Sequence, residues 1–312
     1  MANEHIKNLA YSRKNKLVYF IVRIIKFLIF RFILSIRYIE FFLLKIKANN
    51  GIIIRKVQGS KMYLDLKDEG ISKDLALDGI REPESTKMIK KILKPGDIVV
   101  DIGANRGYYA LMESRLVGKN GKVYAIEPVQ DNINALKKNI ELNNYPNIKV
   151  FQVAIGDKNT TTKMYISSFS NWHSFINHKQ KITSTIDIKV ISLDNFLKDK
   201  EYPYFIRMDV EGYEYQILKG MKNVLERRKP LKLFIELHPH LMQKDKTIFI
   251  LKTLMKYGFE PTMVIRCLTA TEMKVKKRSD YDFSYMKIND MLQDESMLTG
   301  KRGAFEIFFE RK

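Results

Sequence analysis

GDIVVDIGANRGYY, residues 96–109, is the stretch whose reading decides the fold. Ile98 to Val100 is a short continuous apolar run, the composition of a strand buried on both faces of a parallel sheet. The run ends at Asp101, and Gly103 and Gly107 follow before helix-compatible residues begin at Tyr108. Glycine at a strand-to-helix turn permits positive φ and lets a ligand approach bare backbone. In open α/β sheets, such a turn at the carboxyl end of a first strand is a nucleotide-type site.

Working outward, the alternation repeats. A helix over 107–117 leads to strand 122–126, which ends at Glu127-Pro128, then to helix 130–143 and strand 148–153. After a strand-like, loop-rich stretch at 158–190, a helix near 192–198 precedes strand 205–208, ending at Asp209. Helix 213–227, strand 231–237 ending at His238, helix 244–257, an extended 259–268 and a last strand at 304–310 complete the series. This pattern implies βαβ units, and so an α/β fold with a doubly wound, mostly parallel sheet. Ahead of it, residues 51–66 alternate around Gln58-Gly59-Ser60 as a β-hairpin, and a helix over 84–93 stops at Lys94-Pro95-Gly96. Three regions are expected: a basic amphipathic helix in 1–50, the hairpin and helix in 51–95, and the main domain in 96–312. Residues 269–303 are polar enough for a loop or lid.

The chain has 312 residues with 55 basic against 35 acidic side chains, a formal charge of +20. Its single cysteine, Cys267, excludes an intramolecular disulfide and any multi-cysteine zinc site, and reads as a packed thiol in a reducing compartment. Ten basic and two acidic residues fall in the first fifty. Anionic lipid, nucleic acid and anionic small substrates all remain admissible partners. Residues 17–46 narrow that choice. The fifteen Leu, Ile, Val and Phe residues of window 17–36 favour insertion by roughly 4.5–9 kcal/mol, while Arg23, Lys26 and Arg31 cost roughly 7.5–10.5. Spanning is therefore near break-even or unfavourable. On a helical projection Lys16, Arg23, Lys26, Arg31, Arg37, Glu40, Lys45 and Lys47 share one side and Phe, Ile and Leu the other, which suits a helix lying on an anionic membrane.

Glu127 lies 24 residues after Gly103, where an acid accepts both hydroxyls of a ribose in dinucleotide folds. The glycines are not spaced G-x-G-x-x-G, however, and Asp101 would repel a pyrophosphate. It suits a ligand with a cationic amine, which argues for an amino-acid-bearing nucleoside. With these features in place, the chain resembles the FkbM family of S-adenosylmethionine-dependent methyltransferases over roughly residues 80–265. The resemblance rests on VDIGANRGY (100–108), IEP (126–128), VAIGD (153–157), SLD (192–194), IRMDVEGYE (206–214), LKG (218–220) and IELH (235–238). It implies a seven-stranded class I methyltransferase fold and methylation of hydroxyl groups, often on sugars or polyketide-type products. It further implies that Asp101, Gly103, Asn105, Gly107 and Tyr108 line the methionine and ribose end of the cofactor, with Glu127 on the ribose hydroxyls. Val153 and Ala154 stand where related enzymes place a polar residue near adenine, so Asp157 is the expected substitute.

For hydroxyl methylation, a positioned base contributes roughly 10²–10⁴-fold. Asp209, Glu211 and His238, at the ends of two strands, are the expected candidates, while Glu214 serves the dipole of its helix. Trp172 and His173 offer a surface for a sugar ring. No spacing of His, Asp and Glu demands a metal, although Asp209, Glu211 and a nearby acid could hold Mg²⁺. Asn/Asp-Pro-Pro-Tyr is absent from the fourth strand, and Cys267 lies outside the expected site, which disfavours base methylation. The expectation is an O-methyltransferase for a glycan, glycolipid or similar acceptor, cytoplasmic and peripheral on the membrane face, with nucleic acid a disfavoured partner. RNA methylation is the alternative that the +20 charge keeps open, and a non-catalytic membrane-bound cofactor-binding module is the other.

Overall fold

The computed structural model describes residues 18–311, except 19, 22–23, 26–27, 30, 33–34, 69, 178–181, 228 and 268–281. A helix α1 (residues 35–47) leads to the hairpin β1 (Ile52–Val57) and β2 (Ser60–Asp65). Gln58 and Gly59, both at positive φ, form its two-residue turn. Then follow α2 (Ile71–Asp78), which the sequence pattern did not announce, and α3 (Pro83–Ile92). The first winding is β3 (Ile98–Ile102), α4 (Tyr108–Val117), β4 (Lys122–Ile126), α5 (Gln130–Asn143) and β5 (Ile148–Phe151). A side sheet, β6 (Ala154–Gly156), β7 (Thr160–Ser167) and β8 (Ile182–Ser192), is ordered β6-β8-β7 and supplies the strands of the strand-like stretch.

The second winding begins with α6 (Leu193–Phe196) and β9 (Phe205–Met208), followed by α7 (Glu214–Lys219) and α8 (Lys222–Glu226). The single helix expected over 213–227 is thus broken. A Cβ on Gly220 would stand 1.9 Å from the Gly156 carbonyl oxygen, so close approach of β6 holds the chain at this glycine. The remainder is β10 (Lys232–Leu237), α9 (Lys244–Lys256), β11 (Phe259–Arg266), β12 (Asp282–Ser284), α10 (Ile288–Gln293), α11 (Glu295–Leu298) and β13 (Phe305–Arg311). Part of the stretch expected as loop or lid, 269–281, lies outside the described residues. Its described part is a strand and two short helices, docked by buried Ile288, Met291, Met297 and Leu298.

The main sheet runs β12-β11-β13-β10-β9-β3-β4-β5. Its central pairs are parallel, and β13 is antiparallel to both β10 and β11. Apart from the three-residue edge strand β12, this is the seven-stranded arrangement that the family resemblance implies. Side chains alternate across it with period two. Val100, Ile102, Ile206 and Met208 face a core with α6 to α11. Val99, Val123, Phe205 and Phe234 face the opposite core with the hairpin and α2 to α5. That alternation decides where Asp101 points.

Among the described residues no helix is long and apolar enough to cross a membrane. Helix α1 is fastened to the body by one stripe. Arg37 makes two hydrogen bonds to Asp78, at 2.7 and 2.9 Å, and Phe41, Leu44 and Ala48 pack on the hairpin-side core. The other stripe, including Ile36, Ile39, Phe42 and Ile46, is exposed.

Candidate active site

The cleft opens where β3 ends, at the point where the chain, having laid β4 and β5 on one side, crosses to β9 on the other. Ile102, Gly103, Ile126, Glu127, Asp209 and Glu211 are among its lining residues. Gly103 has φ 84°, and a Cβ there would lie 2.0 Å from the Asp209 carbonyl oxygen. Only glycine lets these two strand ends meet.

On one wall, Glu127 is 4% exposed. Its Oε2 accepts the Asn105 backbone N–H at 2.9 Å and its Oε1 the Val129 N–H at 2.9 Å. Burial pushes its carboxyl up to about 7 against the pull of those amides. Asn105, held at φ 50°, donates its side-chain amide to the Ser170 carbonyl at 2.8 Å, and Asn132 donates to the same oxygen at 3.1 Å. Loop 168–175 thereby roofs the wall. Asp68 clamps it, accepting the Ser170 hydroxyl at 2.9 Å. Asn132, Ser170 and Asp68 were missed from sequence because they come from distant elements without a shared motif.

On the facing wall, carboxylates crowd together. Arg207 donates to Asp101 at 2.9 Å and to Asp209 at 2.8 Å, with its guanidinium 4.2 Å from the Tyr109 ring centroid. His238, 3% exposed, meets Glu214 Oε1 through Nδ1 at 2.7 Å. Its Nε2 lies 3.5 Å from both Glu211 and Glu236. Burial favours the neutral ring, but Glu211 and Glu214 prevail and hold His238 protonated well above the ordinary histidine range. Burial carries Glu211 up to about 8; His238 opposes this, while Asp209 and Glu236 add to it. Glu211 itself sits at φ 49°, ahead of Gly212 at φ 95°. Ligand atoms of Asp209, Glu211 and His238 lie within 4.8 Å of one another, a set able to take a divalent cation. The sequence reading missed Arg207 and Glu236, although a charge inside a buried strand is itself a signal, because it must find a partner.

The expected site residues divide accordingly. Gly103, Asn105, Glu127, Asp209, Glu211 and His173 line the cleft. His173 accepts the Ser167 N–H and is pushed by burial down to about 4, leaving a neutral ring. Trp172 is 36% exposed and packs against Phe169 at 4.7 Å instead. His238 stands behind Glu211, outside the lining. Asp101 is fully buried on the α4 face of β3, where it pairs with Arg207, and it is not among the residues that line the cleft. Gly107 is a packing glycine, since a Cβ would stand 2.5 Å from Leu136. Tyr108 turns toward α3, where its hydroxyl accepts the Arg81 N–H at 3.0 Å and contacts Thr86 at 2.8 Å. Asp157 pairs with Lys219 at 3.5 Å, leaving Val153, Ala154 and Ile155 as an apolar wall. Cys267 is a packed thiol beside Glu306.

These residues fit S-adenosylmethionine. Val153, Ala154 and Ile155 would take adenine, Glu127 at the end of β4 would take the ribose hydroxyls, and bare backbone at Gly103 beside Asp209 would leave room for the amino-acid end. A model of the methyltransferase FkbM domain matches residues 101–261. The chain is similar to a protein-L-isoaspartate O-methyltransferase of Methanosarcina mazei, 40% identical over 23% of this chain and 30% of that one. It is also similar to the hexuronic acid methyltransferase AglP of Haloferax volcanii, 27% identical over 53% of this chain and 66% of that one. The chain thus spans less than two thirds of each of these relatives. A solved methyltransferase FkbM from Methylobacillus flagellatus is 19% identical over 53% of this chain and 41% of that one, with TM-score 0.33. M. jannaschii TYW2 in complex with AdoMet is 15% identical over 85% and 89%, with TM-score 0.42.

Proposed function

The chain belongs to the FkbM methyltransferase family, and we propose that it methylates a hydroxyl of a glycan, glycolipid or similar acceptor at a membrane face. It is an S-adenosylmethionine-dependent methyltransferase, and the cofactor supplies an already activated methyl group. What the protein must add is placement and removal of the acceptor's proton. The observation that carries the reading is Glu211, a cleft-lining carboxylate backed by the buried His238–Glu214 pair. Glu211 takes the acceptor proton, and the fixed imidazolium behind it stabilises its ionised form. Asp209, tied to Arg207, borders the same space and helps to place the acceptor.

Two facts support a glycan over other hydroxyl acceptors. The hexuronic acid methyltransferase relative aligns over about half of this chain. The cleft's acceptor wall is also rich in carboxylates, good partners for sugar hydroxyls. The membrane face is supported by α1, whose apolar stripe is exposed while its other stripe is anchored to the body. Incubation of the full chain with labelled cofactor and cell membranes tests both parts. Label is expected in lipid-extractable or glycan material, released as a methyl ether on hydrolysis. Label confined to RNA would replace this reading, and cofactor binding without transfer to any fraction would favour a non-catalytic module.

A further inference from the structure

Between α1 and the turn from β2 to α2 runs a groove that the cofactor cleft does not use. Tyr38, Phe41 and Phe42 line it from α1, and Lys45, Lys67 and Lys73 stand along it. The Lys45 ammonium is 4.9 Å from the Phe41 ring centroid, and that of Lys73 is 5.1 Å from Phe41 and 5.9 Å from Tyr38. Two ammonium groups therefore share the Phe41 ring, with a third lysine lining the same space. An anion that enters between these ammonium groups is attracted by all three at once. Asp68, the acid of this wall, is already committed. Its oxygens accept from the Gly70 and Ser72 backbone and from Ser170. Beyond the floor, Ile39, Leu43 and Ile46 continue an apolar row, 60, 50 and 65% exposed.

We propose that this groove seats the phosphate headgroup of an anionic membrane phospholipid. Lys45, Lys67 and Lys73 surround the phosphate, and the acyl chains follow Ile39, Leu43 and Ile46. The inference rests on the membrane-surface reading of α1 and sharpens it from general attraction to a defined seat. Charge complementarity supports the occupant, since three lysines line the groove against a single acid, Asp68, whose oxygens are already engaged. So does the pairing of an aromatic floor with lysines, whose stems cover apolar surface while their ammonium groups reach phosphate. Through Asp68, the groove adjoins the loop that roofs the cofactor cleft.

The test compares the full-length protein with Lys45→Gln/Lys67→Gln/Lys73→Gln and with a control, Lys138→Gln/Lys158→Gln/Lys189→Gln, which changes net charge equally. Partitioning is measured on phosphatidylcholine vesicles with and without phosphatidylglycerol. The groove variant is expected to lose roughly 100-fold in partitioning to the anionic vesicles, and the control no more than about threefold. A soluble short-chain phosphatidylglycerol should compete, while inorganic phosphate should not. Equal losses in the two variants would overturn the seat in favour of diffuse charge, and full competition by inorganic phosphate would reassign it to a free anion. Wild-type protein that ignores both kinds of vesicle would sink the membrane reading along with the seat. S-adenosylhomocysteine titration of the groove variant, expected to match wild type, separates any of these results from damage to the methyltransferase core.

Discussion

The two walls of the cleft handle buried carboxylates in opposite ways. Glu127 is met by backbone amides of its own turn and its neighbour's, donors that cannot titrate or move. Glu211 is met by His238 and pressed by Asp209 and Glu236, ionisable side chains rather than fixed backbone dipoles. A carboxylate held by fixed dipoles is suited to binding. One held in a titrating cluster is suited to exchanging a proton. On that difference we propose cofactor recognition for the first wall and chemistry for the second.

The most forceful way to break this comparison is Glu211→Gln. Turnover should fall roughly 10²–10⁴-fold, while S-adenosylhomocysteine affinity stays within about twofold by calorimetry. Parallel losses in both would erase the distinction between the walls. In the unmodified enzyme, turnover should rise with pH through about 8, as Glu211 becomes able to accept a proton. Asp101→Ala comes next, and its effect should be on stability. Removing one partner of a buried ion pair costs about 3–5 kcal/mol, measurable as a urea midpoint shift. A stable variant unable to bind cofactor would restore Asp101 to the cleft.

The third effect concerns Glu127. Its carboxyl lies at about 7 in the folded chain against an ordinary 4.5. The folded state therefore holds an extra proton between those values. Its contribution to stability is full below the lower one and is lost as pH rises through the upper, a change of up to about 3 kcal/mol. Glu127→Gln should flatten that portion of the melting-temperature profile between pH 5 and 8 and weaken cofactor binding roughly 10–100-fold. Smallest of all should be chelation. His238 already supplies a cation among three carboxylates, so EDTA should change turnover by less than about twofold. Metal-dependent turnover would instead give Asp209, Glu211 and His238 a divalent ion.

The sequence was most legible where one local pattern decided the structure. Apolar runs ending in Asp101, Glu127, Asp209 and His238 marked four strands; three end just before the named residue, and β3 runs one residue past Asp101 to Ile102. It was least legible where a motif residue's direction depended on its neighbours across the sheet. Asp101 belongs to the quoted stretch, yet strand alternation turns it into the α4 layer, while Ile102 and Gly103 take the cleft. Tyr108 is lost to α3 for a similar reason, because Arg81 and Thr86 offer its hydroxyl buried partners. Glu214 could be read as a helix-dipole acid from its position alone. Only the fold brings His238 to it, from 24 residues away. Asp68 and Ser170, 102 residues apart, share nothing in sequence that announces a clamp.

Strand β13 carries a consequence for how the protein is made. It pairs with β10 on one side and β11 on the other, and those two share no ladder of their own. During synthesis both strands leave the ribosome before their common partner exists, each with an open edge toward the gap. Closing the sheet therefore waits for residues 305–311. Until then the growing polypeptide presents two adhesive edges to its surroundings, the interval in which a chaperone or a neighbouring nascent chain has most to bind.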